Sequence, residues 1–178
     1  MFRYDKIAMR PVEAGDLEAM RQLRNDQSTW QYLSDATLIS SEMQLRWFDN
    51  NSRSLDDRYY AIVLPDDNNR FIGIVRTDEI DYKNRSIRIG LDIVPEERGK
   101  GYGTLGFQMI FKYFFDYQSF HKLWLCVLED NEIAIKLYKS AGFTEEGRMR
   151  QAIWRDGKYK DYIIMSILEK EYRCRNAL

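Results

Sequence analysis

The sequence predicts a single α+β domain, with a central, mostly antiparallel sheet flanked by helices, over residues 1–178. Three observations carry this reading. The chain is 178 residues long, the length of one compact domain. Apolar residues make up 44% and aromatic residues 14%, a composition that buries a core and argues against disorder. Apolar periodicity also switches repeatedly between the alternation of strands and the spacing of helices, with no internal repeat or low-complexity tract.

The elements follow in order. Lys6 to Val12 alternates and reads as a first strand. Gly15-Asp16 offers a helix cap, with Leu17, Met20 and Leu23 at helical spacing until Asn25-Asp26. Ser41-Glu42-Met43-Gln44 has the form of a capping box and opens a second helix to about Asn50. Tyr59–Leu64, Phe71–Ile80 and Ser86–Val94 are β-rich runs separated by polar turns, the pattern of an antiparallel meander. Pro95 to Gly103 breaks the pattern, and Leu105, Phe107, Met109, Ile110 and Phe114 then recur as an amphipathic helix to about Tyr117. Leu123–Leu128 is a short apolar strand. Asn131–Ser140 is a helix closed by Gly142. Two last strands, near Glu146–Trp154 and Lys160–Leu168, flank the turn Arg155-Asp156-Gly157-Lys158.

The residue inventory excludes several chemistries. His121 is the one histidine, and Cys126 and Cys174 are the two cysteines, too few and too scattered for a zinc cluster or a disulfide framework. His121 reads as a surface residue, Cys126 as core and Cys174 as part of a charged tail. The N-terminus lacks a signal-peptide core and no stretch is long and apolar enough to span a membrane, so a cytoplasmic location is expected. Net charge is −1, which argues against a nucleic-acid or membrane partner. Residues 1–97 hold 13 basic and 18 acidic side chains, a net −5, against 14 and 10, a net +4, in residues 98–178, so an anionic ligand is expected in the C-terminal half.

Between the third strand of the meander and the next helix lies Arg98-Gly99-Lys100-Gly101-Tyr102-Gly103. Glycines there admit close backbone approach, and a helix N-terminus attracts anions, a pyrophosphate above all. Gly101 follows Gly99-Lys100, so this is not a Walker A loop, and the glycine spacing is not that of a Rossmann fingerprint.

Arg98-x-x-Gly101-x-Gly103 resembles the acetyl-CoA loop of the GNAT N-acetyltransferase superfamily, and Asn131-x-x-Ala134-x-x-x-Tyr138-x-x-x-Gly142-Phe143 resembles its second signature. The two blocks are one helix and one strand apart, as in that superfamily. The likeness extends from Met9 to Leu168. Within it, Gly147-Arg148-Met149 and Asp156-Gly157-Lys158-Tyr159-x-Asp161 are similar to the branch that acetylates ribosomal-protein N-termini, polyamines and amino sugars. Leu23-Arg24-Asn25-Asp26 and the run from Ser40 to Phe48 resemble enzymes acting on a nucleotide-linked amino sugar.

The resemblance implies acetyl-CoA as co-substrate, direct transfer to a primary amine of a small metabolite, and a homodimer as one assembly to consider. It implies that the backbone of Ile93 and Val94, together with Gly90 as a bulge, opens a strand edge for the cofactor arm. Gly99, Gly101, Tyr102, Gly103 and Thr104 would hold the pyrophosphate through backbone amides, with charge from Arg98 and Lys100. Asn131 would bond the arm, and Tyr138 would protonate the departing thiol. Many relatives carry a glutamate where this chain has Arg88, so the base is open among Asp92, Asp78, Glu79 and a water chain, with Asp92 taken first. Arg24, Trp30 and Tyr32 are the acceptor-side candidates. A nucleotide-linked amino sugar is the first expectation for the acceptor; a polyamine or a ribosomal-protein N-terminus are alternatives, and a non-catalytic acetyl-CoA-binding protein is the rival class. A polyamine asks for an acidic pocket, a sugar nucleotide for arginine and aromatic side chains.

Overall fold

The computed structural model describes residues 1–51 and 58–176. Eight strands form one sheet in the order β1-β2-β3-β4-β5-β6-β8-β7. They are β1 (Phe2–Tyr4), β2 (Ile7–Pro11), β3 (Arg58–Leu64), β4 (Arg70–Asp81), β5 (Ser86–Ile93), β6 (Lys122–Leu128), β7 (Thr144–Arg155) and β8 (Lys158–Leu168). The helices are α1 (Leu17–Asn25), α2 (Gln27–Trp30), α3 (Ser41–Asn51), α4 (Tyr102–Phe111), α5 (Glu132–Ala141) and α6 (Glu169–Asn176). All strand pairs are antiparallel except β5 with β6. The α+β reading and the β3-β4-β5 meander therefore hold.

Some expectations need correction. The first strand is a hairpin, because Asp5 adopts a left-handed φ of 50° and turns β1 onto β2. The cap of α3 is Ser40, whose Oγ accepts from the Met43 N–H at 3.2 Å, one residue before the expected box. The one-turn helix α2 and the charged helix α6 have no apolar periodicity to announce them, and the sequence reading did not include them. Cys174 therefore lies on a helix, exposed. Beyond α4 the helix widens into a π-helical stretch, Lys112–Tyr117, which carries it to the expected end.

Successive residues of β4 point to opposite faces of the sheet. Val75 joins the main core with Phe107, Ile110 and Phe111 of α4, whereas Ile74 joins Leu17, Met20 and Leu23 of α1. Trp47 and Phe48 of α3 pack into the second cluster, as core residues. α4 and α1 thus cover opposite faces of the strands that will carry the site.

One buried ion pair fixes the entry to α1. Asp16 accepts from Arg10 at 2.6 and 2.9 Å and from the Glu13 N–H at 2.8 Å. Burial works against this carboxylate, yet the Arg10 and Glu13 hydrogen bonds hold its pKa below the ordinary value. A depressed carboxylate stabilises the fold above the unfolded-state pKa, about 4, and the stabilisation is lost as pH falls through the folded value. Asp16→Ala is expected to cost about 3–5 kcal/mol, because it strands Arg10. Asp16→Asn is expected to flatten the acid limb of a stability–pH curve measured by urea unfolding. An unchanged acid limb would refute this assignment.

Candidate active site

The site begins where a strand pairing stops. β5 and β6 run in register from Ser86 with Lys122 to Arg88 with Trp124, and no pairing follows. β5 stays bonded to β4 as far as Ile93 with Gly73, and β6 to β8 as far as Leu128 with Tyr162. The two strands therefore diverge into a fork. A cleft of about 780 Å³ occupies it, lined from β5 by Ile89–Ile93, from β6 by Leu125–Val127, from the glycine loop and α5, and from the chain after α2.

Gly90 does not bulge, contrary to expectation. It pairs regularly with Arg76, and the β4–β5 irregularity lies between Asp78 and Asp81, where Glu79 has a φ of 46°. Gly90 instead provides space: a Cβ there would meet the Arg76 guanidinium at 3.0–3.3 Å. Arg76 crosses Gly90 and reaches Asp92 at 2.8 Å.

The anion loop has the backbone that its glycines suggest. Gly99 and Gly101 have φ of 75° and 84°, in the left-handed region, and a Cβ on either would project into open space. Gly101 is the N-cap of α4, and the Leu105 N–H makes the first helical bond to its carbonyl at 3.1 Å. The amides of residues 102–104 thus precede the hydrogen-bond ladder at the positive end of the helix dipole. Gly103 and Thr104 line the cleft. Tyr102 packs beside the main core, with Lys6 Nζ 5.0 Å from its ring centroid.

Two cationic side chains of the loop bond to protein groups. Lys100 Nζ bonds Glu97 at 3.0 Å and stands outside the lining. The Arg98 guanidinium is taken up by protein oxygens: Ile93 O, Ser28 Oγ and Thr29 Oγ1. In this structure both charges are therefore engaged by protein groups. Val94 also falls outside the lining, since its N–H closes onto Ile72 O at 2.9 Å.

From α5, Asn131 lines the cleft and caps its own helix, its Oδ1 accepting from the Ala134 N–H at 3.2 Å. The cap leaves the amide NH2 of that side chain uncommitted. Tyr138 lines the cleft about two turns on, half-buried, edge-on to Phe107 at 5.4 Å and near Phe143 at 5.9 Å. Burial pushes its hydroxyl pKa well above the ordinary value; Asp92 raises it further and Arg76 opposes.

Arg76, Asp78, Arg88 and Asp92 are the charged side chains that β4 and β5 bring to the cleft. Arg88 grips Asp78 at 2.5 and 3.0 Å and Glu79 at 2.9 Å, and stacks 5.7 Å from the Trp124 ring. Glu79 lies outside the lining. With Arg98, the charged lining residues are three arginines and two aspartates, so the pocket is balanced rather than acidic. Cys126, expected in the core, is half-buried and lines the cleft.

The acceptor-side candidates divide. Tyr32 lines the cleft with Gln31, Leu33 and Ser34. Trp30 does not: its carbonyl accepts from Arg155 at 3.1 Å and its ring lies under that guanidinium. Arg24 turns to Asp35 at 3.2 Å, outside the lining, and burial depresses its pKa. Sequence reasoning missed Arg76, Tyr59 and Tyr162 as lining residues.

Comparisons with known proteins agree with this geometry. The family described as Acetyltransferase (GNAT) domain matches residues 6–144. A spermidine N(1)-acetyltransferase of Vibrio cholerae is 29% identical over 171 residues, 96% of this chain and 98% of its own. The enzyme of the same name from Escherichia coli K12 is 28% identical over 93% of this chain and 88% of its own. The crystal structure of spermidine N-acetyltransferase from Vibrio cholerae in complex with CoA and spermine superposes with a TM-score of 0.88 at 28% identity, over 96% of this chain and 99% of that one.

Burial moves the loss of the Tyr138 proton to higher pH than in an ordinary tyrosine. If Tyr138 is the acid, the wild-type rate should show no alkaline loss near pH 10, where an ordinary tyrosine ionises. Tyr138→Phe should lower the single-turnover rate by about 10²-fold with little change in cofactor affinity. An unchanged single-turnover rate would remove Tyr138 from the chemistry.

Proposed function

This chain belongs to the GNAT acetyltransferase family and is an acetyl-CoA-dependent N-acetyltransferase, and on that premise we propose that it acetylates a primary amine of a polyamine. The observation that carries the reading is the likeness to spermidine N-acetyltransferases over nearly the whole of both chains. It moves the polyamine ahead of the nucleotide-linked amino sugar that the N-terminal motifs favoured.

The cleft fits the co-substrate on its own terms. The left-handed loop Gly99–Gly101 and the first amides of α4 would hold the pyrophosphate. The edge of β5 beyond Arg88, which has no strand partner, would bond the pantetheine arm, with the free NH2 of Asn131 beside it. When bound, the thioester supplies an already activated acyl group, so no enzyme nucleophile is needed. The protein positions the amine, accepts its proton and returns one to sulfur. Tyr138, which lines the cleft, would donate that proton from a hydroxyl that burial keeps neutral. Asp92, which faces Tyr138 electrostatically and is held by Arg76, is the proton acceptor, directly or through water. Asp78, two residues from Arg76 along β4, gives a second amino group of a polyamine a counter-charge.

One observation favours a second reading. Arg76 and Arg88 line the cleft, and an arginine pair suits an amine that also bears an anionic group, a nucleotide-linked amino sugar among them.

Thiol release from acetyl-CoA, measured with spermidine, spermine, an amino-sugar nucleotide and an N-terminal peptide, separates these readings. The expected result is turnover of spermidine with a kcat/KM at least tenfold above the others. A reversed order, with the sugar nucleotide ahead, would replace the polyamine by the anionic amine. CoA binding without turnover of any amine would convert the enzyme into a binding protein.

A further inference from the structure

Arg98 begins the anion loop, yet its side chain leaves that loop. Nε donates to the Ile93 carbonyl at 2.8 Å, one Nη to Ser28 Oγ at 2.6 Å, and the other to Thr29 Oγ1 at 2.6 Å. The three acceptors are the last residue of β5 and two residues inside α2. The planar fork of a guanidinium makes such a triple contact directional, which a lysine cannot reproduce.

α2 needs such support. It is a single turn, Gln27–Trp30, capped by Asp26, whose side chain accepts from the Ser28 N–H at 2.9 Å. One turn of helix has no stability of its own. Its far end is held by a second distant arginine, Arg155, which donates to Trp30 O at 3.1 Å and to Leu33 O at 2.7 Å. Ser28 and Thr29 line the cleft themselves, and between the two anchors the chain adds Gln31, Tyr32, Leu33 and Ser34 to the lining. Arg155 sits on the β7–β8 hairpin, away from the anion loop, whereas Arg98 is covalently next to Gly99. Arg98 therefore links the loop directly to α2.

We propose that Arg98 is a positioning residue that couples the two substrate sites: engagement of the loop 99–104 by CoA fixes Ser28 and Thr29, and with them the acceptor wall 31–34. The inference rests on the reading of that loop as the CoA site. Coupling of this kind is reciprocal, so a bound amine tightens CoA by the same factor that CoA tightens the amine.

The experiment uses the full chain and CoA as the probe. Calorimetry gives the CoA dissociation constant, and hydrogen exchange with mass spectrometry follows the backbone of residues 26–34. In the wild type, CoA is expected to slow exchange in that segment. In Ser28→Ala/Thr29→Val, which leaves the loop intact, CoA should bind within about twofold of wild type while the slowing disappears. The KM for the amine should then rise about tenfold, an effect within the usual span of coupling between sites, with the loss on KM rather than kcat. Arg98→Lys, which keeps the charge without the fork, should behave like the double variant. Thermal unfolding and circular dichroism confirm that each variant is folded.

Equal slowing in the wild type and the folded double variant, or none in the wild type with CoA bound, would overturn the proposal while leaving the cofactor reading intact. Full coupling in Arg98→Lys would also overturn it. Failure of the wild type to bind CoA would overturn the cofactor reading and the coupling together.

Discussion

The site depends on the fork between β5 and β6. Each strand is fastened on its outer side, β5 to β4 and β6 to β8, over nearly its full length. The twist of the sheet can therefore not be relaxed by closing the gap. Past Arg88 and Trp124 the facing backbone edges have no strand to pair with and open onto the cleft, where their N–H and C=O groups need water or a ligand as partner. A ligand with its own amides, laid along that edge, supplies those partners. The fold thus supplies a strand-shaped opening before any side chain is considered. The glycine loop, α4 and α5 are then set around it by the core on one face of the sheet.

The electrostatics of the opening follow from the same geometry. The two aspartates that line the cleft are each held by an arginine on the neighbouring strand. Asp92 is reached by Arg76 across Gly90, and Asp78 by Arg88 directly. Each carboxylate is thus paired within the cleft, and the charges nearly cancel. A balanced lining selects by the spacing of its charges rather than by bulk attraction. That distinguishes it from the acidic pocket anticipated for a polyamine, and it makes the distance between amino and anionic groups of an acceptor the quantity to vary. Tyr138 sits on the drier side, between Phe107 and Phe143, where burial favours its neutral form.

Much of this was legible in the sequence where the signal is local. The glycine loop, the helix α5 with its closing Gly142 and the meander lie in contiguous segments, and each was read in its place. The parts that escaped depend on contacts far apart in the chain. Arg98 meets Ser28 and Thr29 about seventy residues away, and Arg155 meets Trp30 at a separation of 125. No spacing rule reports such pairs, so the sequence did not show that Arg98 bonds α2 or that Trp30 meets Arg155. Arg76 was hidden by register. Counting from the pair Asp81–Ser86 would set Arg76 opposite Leu91, but the irregularity at Glu79 shifts the pairing by one residue and sets it opposite Gly90. A slip of one residue exchanges the two faces of a strand. Cys126 read as core because alternation along β6 cannot reveal that β5 has left its side.

The most direct test of the account is the crystal structure of the chain with CoA. The pantetheine arm is expected along the β5 edge between Arg88 and Ile93, with its sulfur facing the Tyr138 hydroxyl, its pyrophosphate on the amides from Gly99 to Thr104, and Arg98 still bonded to Ser28 and Thr29. A fork closed by pairing of β5 with β6, or CoA bound elsewhere on the surface, would contradict it.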